Sequence, residues 1–321
     1  MSAPSRRLSV LALALAPWLA TLGCSGGDSG TPSGGAGTGG GDGVVGTFRV
    51  GLDDNFGAPV ARVLGLVQSA PKNELTIWEQ AAKDGACVLL KPRVPFCSTP
   101  CGSGNECVED DTCKPEPTNK DVGTVTLTGA KTAAGATEVQ LTSPQAGTYT
   151  TATAFMYPPF DEGAAVSISV ASGPYGAFSA QAKGIAPLVV PAGDLPFEKD
   201  KAFPLSWTAK GAAGDSTIHV VIDISHHGGK KGEISCDTAD SGSLTVSASL
   251  VTQLINLGVA GFPVVRLTRV SAGSTKISLG TIRFQADHVV ERALKIPGIT
   301  SCSDDTDCPT GQTCQDDLQC K

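Results

Sequence analysis

Two cysteine runs with one spacing set the terms on which this chain folds. Cys101, Cys107 and Cys113 recur as Cys308, Cys314 and Cys320. Gly104 matches Gly311, and the acidic pair Glu109-Asp110 matches Asp316-Asp317. A fourth cysteine precedes each run, Cys97 and Cys302. Segments this short, 97–113 and 302–320, hold too few apolar residues for a core of their own. Crosslinks must hold their shape, which requires an oxidising compartment.

The start of the chain supplies that compartment. Arg6 and Arg7 precede the apolar run Leu11 to Ala20, and Thr21-Leu22-Gly23 leads to Cys24. A charged start, a short apolar run and a small residue before the cut form an export signal over 1–23. The run is too short to span a bilayer, which takes about 20 apolar residues. Gly23-Cys24 resembles the cleavage site of bacterial lipoproteins, which implies lipid on Cys24. Cleavage near Ala20 or Gly23 by the ordinary route would instead leave a free thiol. Lipidation of Cys24 turns eleven cysteines into an even ten, as expected where an unpaired secreted thiol is a liability. Residues 24–43 are almost all Gly, Ser, Thr and Asp and read as a flexible tether. By the same resemblance, Ser25 after the cysteine favours the outer membrane.

Charged residues make up only 17% of the chain, a profile of short strands and turns. The signal carries two arginines and no acid, so the net charge of −7 becomes −9 on maturation. No basic cluster interleaves with aromatics, which argues against nucleic acid as a partner. Electrostatic binding to anionic headgroups is likewise not expected from the charge total.

From Val44 the pattern is β throughout. The clearest strand alternates Ile218, Val220, Ile222 and Ile224 with His219, Val221, Asp223 and Ser225, the period of a half-buried strand. A glycine-rich turn over 226–232 leads back through Glu233 to Cys236 as a hairpin. Further strands are predicted over 44–50, 60–67, 76–78, 87–90, 123–127, 166–170, 178–185, 264–270 and 276–285, with one helical turn over 252–257. Pro191 to Pro196 reads as a joint. The expectation is therefore an all-β protein with two β-sandwich domains, 44–193 with module 97–113 embedded, and 196–297, followed by module 302–320. Ile218, Val220, Ile222, Ile224, Leu205, Trp207, Ile234, Ile282 and Phe284 are expected in one core. A tryptophan on an early strand and an inward cysteine two strands later resemble the immunoglobulin architecture.

Four cysteines allow three pairings. Crossed pairs, Cys302–Cys314 with Cys308–Cys320, tie each module into one body, whereas nearest-neighbour pairs leave two separate rings. The first module would copy this as Cys97–Cys107 and Cys101–Cys113. Cys87 and Cys236 remain and would join the two halves, with Cys87–Cys97 as the local alternative.

His219, Asp223, His226 and His227 are the one histidine cluster, on a strand face running into a turn. They are the candidates for a metal or general-base site, set against an exposed face with no chemistry. Cysteine spacings are mostly too wide for zinc, and no cofactor motif is present. The cysteine runs resemble Dickkopf-like or EGF-like motifs. The whole layout resembles myxobacterial-type surface lipoproteins, on the lipobox, the Gly/Ser tether, the Ile-Ser-His-His-Gly-Gly hairpin and the terminal cysteine run. That resemblance implies an outer-membrane protein held to the membrane by lipid and carries over nothing catalytic; by analogy with immunoglobulin-like sandwiches, which present loops at their ends for binding, the expectation is a non-enzymatic module that binds a surface protein or glycan or acts as a scaffold. The rival readings are a secreted hydrolase or metal-binding protein using the 219–227 region, and a purely structural envelope protein.

Overall fold

A computed structural model describes residues 43–54, 58–209, 211–212 and 214–321. The signal, Cys24 and nearly all of the tether lie outside the described residues. The first half carries β1 (Val44–Asp53), β2 (Val60–Val67), β3 (Ile77–Asp84), β4 (Cys87–Arg93), β5 (Asn105–Glu109), β6 (Thr112–Pro115), β7 (Val125–Thr128), β8 (Glu138–Gln145), β9 (Thr148–Thr150), β10 (Ala165–Val170) and β11 (Phe178–Lys183). The second carries β12 (Leu195–Pro196), β13 (Phe203–Ser206), β14 (Thr217–Asp223), β15 (Glu233–Ala239), β16 (Ser243–Val246), helix α1 (Ala248–Ile255), β17 (Val264–Ile277) and β18 (Gly280–Lys295). The chain is all-β with two disulfide-rich modules.

One sheet runs through both halves in the order β11-β10-β7-β8-β9-β2-β1-β18-β17-β14-β15-β4-β3. Its spine is the hairpin of β17 and β18, whose pairing extends from Ile277–Gly280 to Val264–Ala293. Two cores form along this spine. Around the first, the sheet curls until β11 returns against β17, where the Lys183 amide donates to Ser271 Oγ at 3.0 Å. Gly273 makes this closure possible: a Cβ there would lie 2.0 Å from the Gln181 carbonyl oxygen. This core holds Phe48, Val50, Leu127, Tyr149, Ile168 and Phe284 among others. The second core lies under β14, β15 and β4. It is closed by the antiparallel β13–β16 pair and by α1, which buries Leu250, Val251, Leu254 and Ile255.

The expected boundary between 193 and 196 does not divide these cores. Strand β1 pairs in parallel with β18, and β4 pairs antiparallel with β15. Each core is thus built from both halves of the chain. The expected single core is corrected in the same way. Ile218, Val220, Ile222, Ile224, Leu205, Trp207 and Ile234 share the second core, but Ile282 and Phe284 belong to the first. The reason is the length of β18, which passes from one core to the other. The predicted helical turn over 252–257 is the second half of α1, which begins at the Ser247 cap.

The disulfides are Cys87–Cys236, Cys97–Cys107, Cys101–Cys113, Cys302–Cys314 and Cys308–Cys320. Cys87 and Cys236 are direct partners across the β4–β15 pair. The C-terminal module is seated on the body through Gly261, whose amide donates to the Asp317 carbonyl at 2.7 Å. The Gly261 carbonyl accepts from Gln319 Nε2 at 2.7 Å and from Ser301 Oγ at 2.6 Å. Only glycine fits this position, with φ of +56° and a would-be Cβ 2.0 Å from the His226 carbonyl oxygen.

Candidate functional site

The alternation of β14 places His219 and Asp223 on the face opposite the core. Each is then taken up separately. His219 is buried, and its Nδ1 lies 2.8 Å from Asp237 Oδ1, its cross-strand partner on β15. The His219 hydrogen bond holds the Asp237 carboxyl below the ordinary carboxylate range, against a smaller effect of burial. Asp223 serves the turn that follows. Its Oδ1 accepts from the Ser225 amide at 2.7 Å and from Ser225 Oγ at 3.0 Å. Ser225 Oγ in turn accepts from the Lys231 amide at 3.1 Å, so both oxygens are spent on fixing the turn. His226 Nδ1 stands 3.9 Å from Asp223 Oδ2. The His226 and His227 rings lie 4.0 Å apart, tilted by 48°, and His227 meets Phe262 edge-on at 6.4 Å. Three of the four candidates, Asp223, His226 and His227, thus adjoin one another at the turn, while His219 is engaged apart from them by Asp237.

The group here with perturbed chemistry is one that sequence reasoning missed. Glu233 sits opposite Asp223 across the hairpin, half-buried. Burial, reinforced by the Asp223 charge, pushes its carboxyl up to about 7. Such a group can hold or release a proton near neutrality. The pattern Glu233-Ile234-Ser235-Cys236 carried the signal: with Cys236 facing the core, Glu233 had to share the Asp223 face. Ser225, which donates to Asp223, has its hydroxyl committed.

A second polar set lies where the cores meet. On β17 and β18 the core-facing series Val265, Leu267, then Ile282, Phe284, Ala286 and Val290 is interrupted by the cross-strand partners Arg269 and His288. Arg269 is 0% exposed. Its Nε donates to Asp240 Oδ2 at 2.6 Å and its Nη2 to Asp240 Oδ1 at 3.0 Å. Nη1 reaches the Ala186 and Pro187 carbonyls at 3.2 and 3.0 Å, and Nη2 the Thr208 carbonyl at 2.6 Å. Burial pulls the Asp240 carboxyl up. Hydrogen bonds from Arg269, Ser216 and Trp207 outweigh it and hold the group below its ordinary range.

His288 Nδ1 accepts the Leu188 amide at 2.6 Å. The neutral ring therefore carries its proton on Nε2, which lies 3.3 Å from Asp54 Oδ2 but out of line for a good hydrogen bond. Burial lowers the His288 pKa and keeps the ring neutral, against the pull of Asp54. Asp54 also accepts from the Tyr157 hydroxyl. Beyond its pair with Asp240, Arg269 holds the carbonyls of Ala186, Pro187 and Thr208, and His288 holds the Leu188 amide, so this set fixes the chain segments beside it.

Among the described residues, the sets of three or more ligand atoms close enough to share one ion are Cys97, Cys101 and Cys113, and Cys302, Cys308 and Cys320. All six sulfurs are in disulfides and are not available as thiolate ligands. No helix among the described residues is long and apolar enough to cross a membrane. No protein-family model matches the chain, and neither does any curated protein sequence.

Proposed function

We propose that this chain is a lipid-anchored protein of the bacterial outer membrane, held by Cys24 and a Gly/Ser tether. Its disulfide-stapled body acts as a non-enzymatic binding or scaffolding module toward a surface protein or glycan. The layout supports this reading through its likeness to myxobacterial-type surface lipoproteins: export signal, Cys24, tether, β body and two cysteine modules. The observation that carries the non-enzymatic part is the commitment of the polar groups. His219, Asp223, Ser225, Arg269 and His288 each hold a neighbouring strand, turn or linker segment.

The anchor is tested by replacing Cys24 with Ser and fractionating cells. The wild-type chain should pellet with membranes and resist high salt, and the variant should appear in the soluble fraction. A variant that stays in the membrane pellet at high salt would overturn the anchor. The binding role is tested by crosslinking intact cells that carry the tagged protein. A surface protein or glycan recovered with wild type, and equally with Glu233→Gln and His226→Ala, supports a role that does not use these groups. A reaction product that vanishes in either variant would favour the hydrolase.

A further inference from the structure

The second core has an opening at the end of α1. Ile255, in the last turn of α1, and Ile296, just past β18, belong to that core. Both also line a cleft of about 480 Å³. Val259, Pro297 and Ile299 complete its apolar lining, and Glu198 and Lys199 line it too. Ile299 is 37% exposed, and its amide donates to the Ile296 carbonyl at 3.1 Å, which folds 296–299 into a turn beside the cleft.

The frame of this cleft is held in place by the chain itself. The Phe197 amide donates to the Lys295 carbonyl at 2.9 Å and so continues the parallel β12–β18 pair. Three residues on, the Asp200 amide donates to Thr252 Oγ1 at 2.8 Å, and Thr252 Oγ1 donates to Asp200 Oδ1 at 3.2 Å. The segment that carries Lys199 is thereby fixed to β18 at one end and to α1 at the other. Small-molecule sites are usually clefts of this kind, pre-formed, about 300–1,000 Å³ in volume and mostly apolar with a few polar groups.

The charges around the cleft decide what it favours. Glu198 Oε2 is taken by Lys201 Nζ at 2.6 Å, and Asp200 is taken by Thr252. At the end of α1 the carbonyls of Thr252, Leu254 and Ile255 accept the amides of Asn256, Leu257 and Gly258. Lys199 is exposed and makes no ion pair among the described residues. The cleft therefore offers apolar walls and one free positive charge.

We propose that this cleft binds an aliphatic monocarboxylate, a fatty acid of medium length, with its chain along Ile255, Val259, Ile296 and Ile299 and its carboxylate at Lys199. Chain burial supplies most of the affinity, since each buried methylene is worth about fourfold, whereas an exposed ion pair is worth about fivefold at most. A cationic amphiphile of the same length meets a like charge. The site is separate from the 219–233 groups, and it depends neither on the anchor nor on the surface partner proposed above.

The test uses the disulfide-intact chain 24–321 carrying Cys24→Ser, so that no attached acyl chain competes. Decanoate, below its micelle concentration, is titrated while the isoleucine methyl resonances are followed by NMR. Ile255, Ile296 and Ile299 should shift together with a Kd of about 1 mM or tighter, while Ile218 and Ile222 stay in place. Octanoate should bind roughly tenfold more weakly, and octylammonium more weakly than octanoate. Lys199→Glu should reverse that last preference. Ile299→Asp should weaken decanoate roughly tenfold or more. Val94→Ser with Phe96→Ser, the apolar pair ahead of Cys97 that is 75% and 72% exposed, should leave binding unchanged. Circular dichroism of each variant confirms the fold before comparison. Absence of shifts at Ile255, Ile296 and Ile299 would overturn the proposal. So would octylammonium binding wild type as tightly as octanoate, or a loss in the Val94–Phe96 control equal to that of Ile299→Asp.

Discussion

Arg269 and His288 are unremarkable letters in the sequence and the most constrained polar residues in the fold. Their partners lie 29 and 100 positions away, beyond the reach of any periodicity argument. A buried arginine is tolerable only while Asp240 and three carbonyls hold it. Arg269→Ala should therefore cost about 3–5 kcal/mol in urea unfolding, because it strands a buried carboxylate. Ile222, fully buried on the legible strand, should cost about 2–5 kcal/mol as Ile222→Ala through transfer and cavity terms. The two separate by pH. The Arg269→Ala penalty should shrink as acid protonates Asp240, whereas the Ile222→Ala penalty should not. Glu233 gives a third test. Its pKa is raised in the folded state from 4.5 to about 7, so the native protein binds more protons than the unfolded chain between those values. Stability should then fall as pH rises through that window. Glu233→Gln should flatten this slope and raise Tm at pH 8 relative to wild type. An unchanged pH profile would mean that Glu233 ionises as it does in water.

At the scale of elements, legibility follows burial on one face. The run 218–225 alternates because one side meets the second core and the other is polar, and the sequence pattern reports both. Strand β18 past Phe284 does not alternate. Gln285, Ala286, Asp287 and His288 are all buried, since Arg49 covers one face while the two cores take the other, so Ala-Asp-His-Val-Val-Glu-Arg reads as no strand at all. Strand β3 runs past the 76–78 expected from sequence for a different reason. Glu79 to Asp84 is an exposed edge pairing only with β4, where helix-favouring Glu, Gln, Ala and Lys meet no packing demand. The crossed module pairs and Cys87–Cys236 were reachable by counting, because ten cysteines with two equal runs leave few arrangements. Cys87–Cys236 closes a separation of 149 residues, worth about 5 kcal/mol in the chain-entropy model. Replacing both by Ala should lower the urea midpoint accordingly and expose β3 and β4 to proteolysis first. Loss of stability with those strands still protected would place the effect elsewhere.

For the whole molecule, the joint at Pro191–Pro196 is a bend in the path and not a seam between folding units. The described residues fall within one compact unit. What composition and Pro/Gly punctuation could not convey is that β1 would close on β18, and β4 on β15. Those pairings join residues more than 140 positions apart, and their driving force is the burial of two cores that neither half can complete. A chain of residues 44–193 lacks β18 on the open edge of β1. It also lacks β15 beside β4, and its Cys87 has no partner. It would expose the core faces of Phe48, Val50 and Leu89, apolar area that intact packing removes from water at about 25 cal/mol per Å². That fragment should be unfolded or aggregated alone, and mixing it with residues 196–321 should restore structure only in part. The intact chain should unfold in urea as one transition, with Trp207 fluorescence, which reports on the second core, coinciding with the tyrosine near-ultraviolet dichroism of Tyr149, which lies in the first. Two separated midpoints, or a cooperative transition from 44–193 by itself, would mean that the cores are independent and that the long spine of β17 and β18 couples them only loosely.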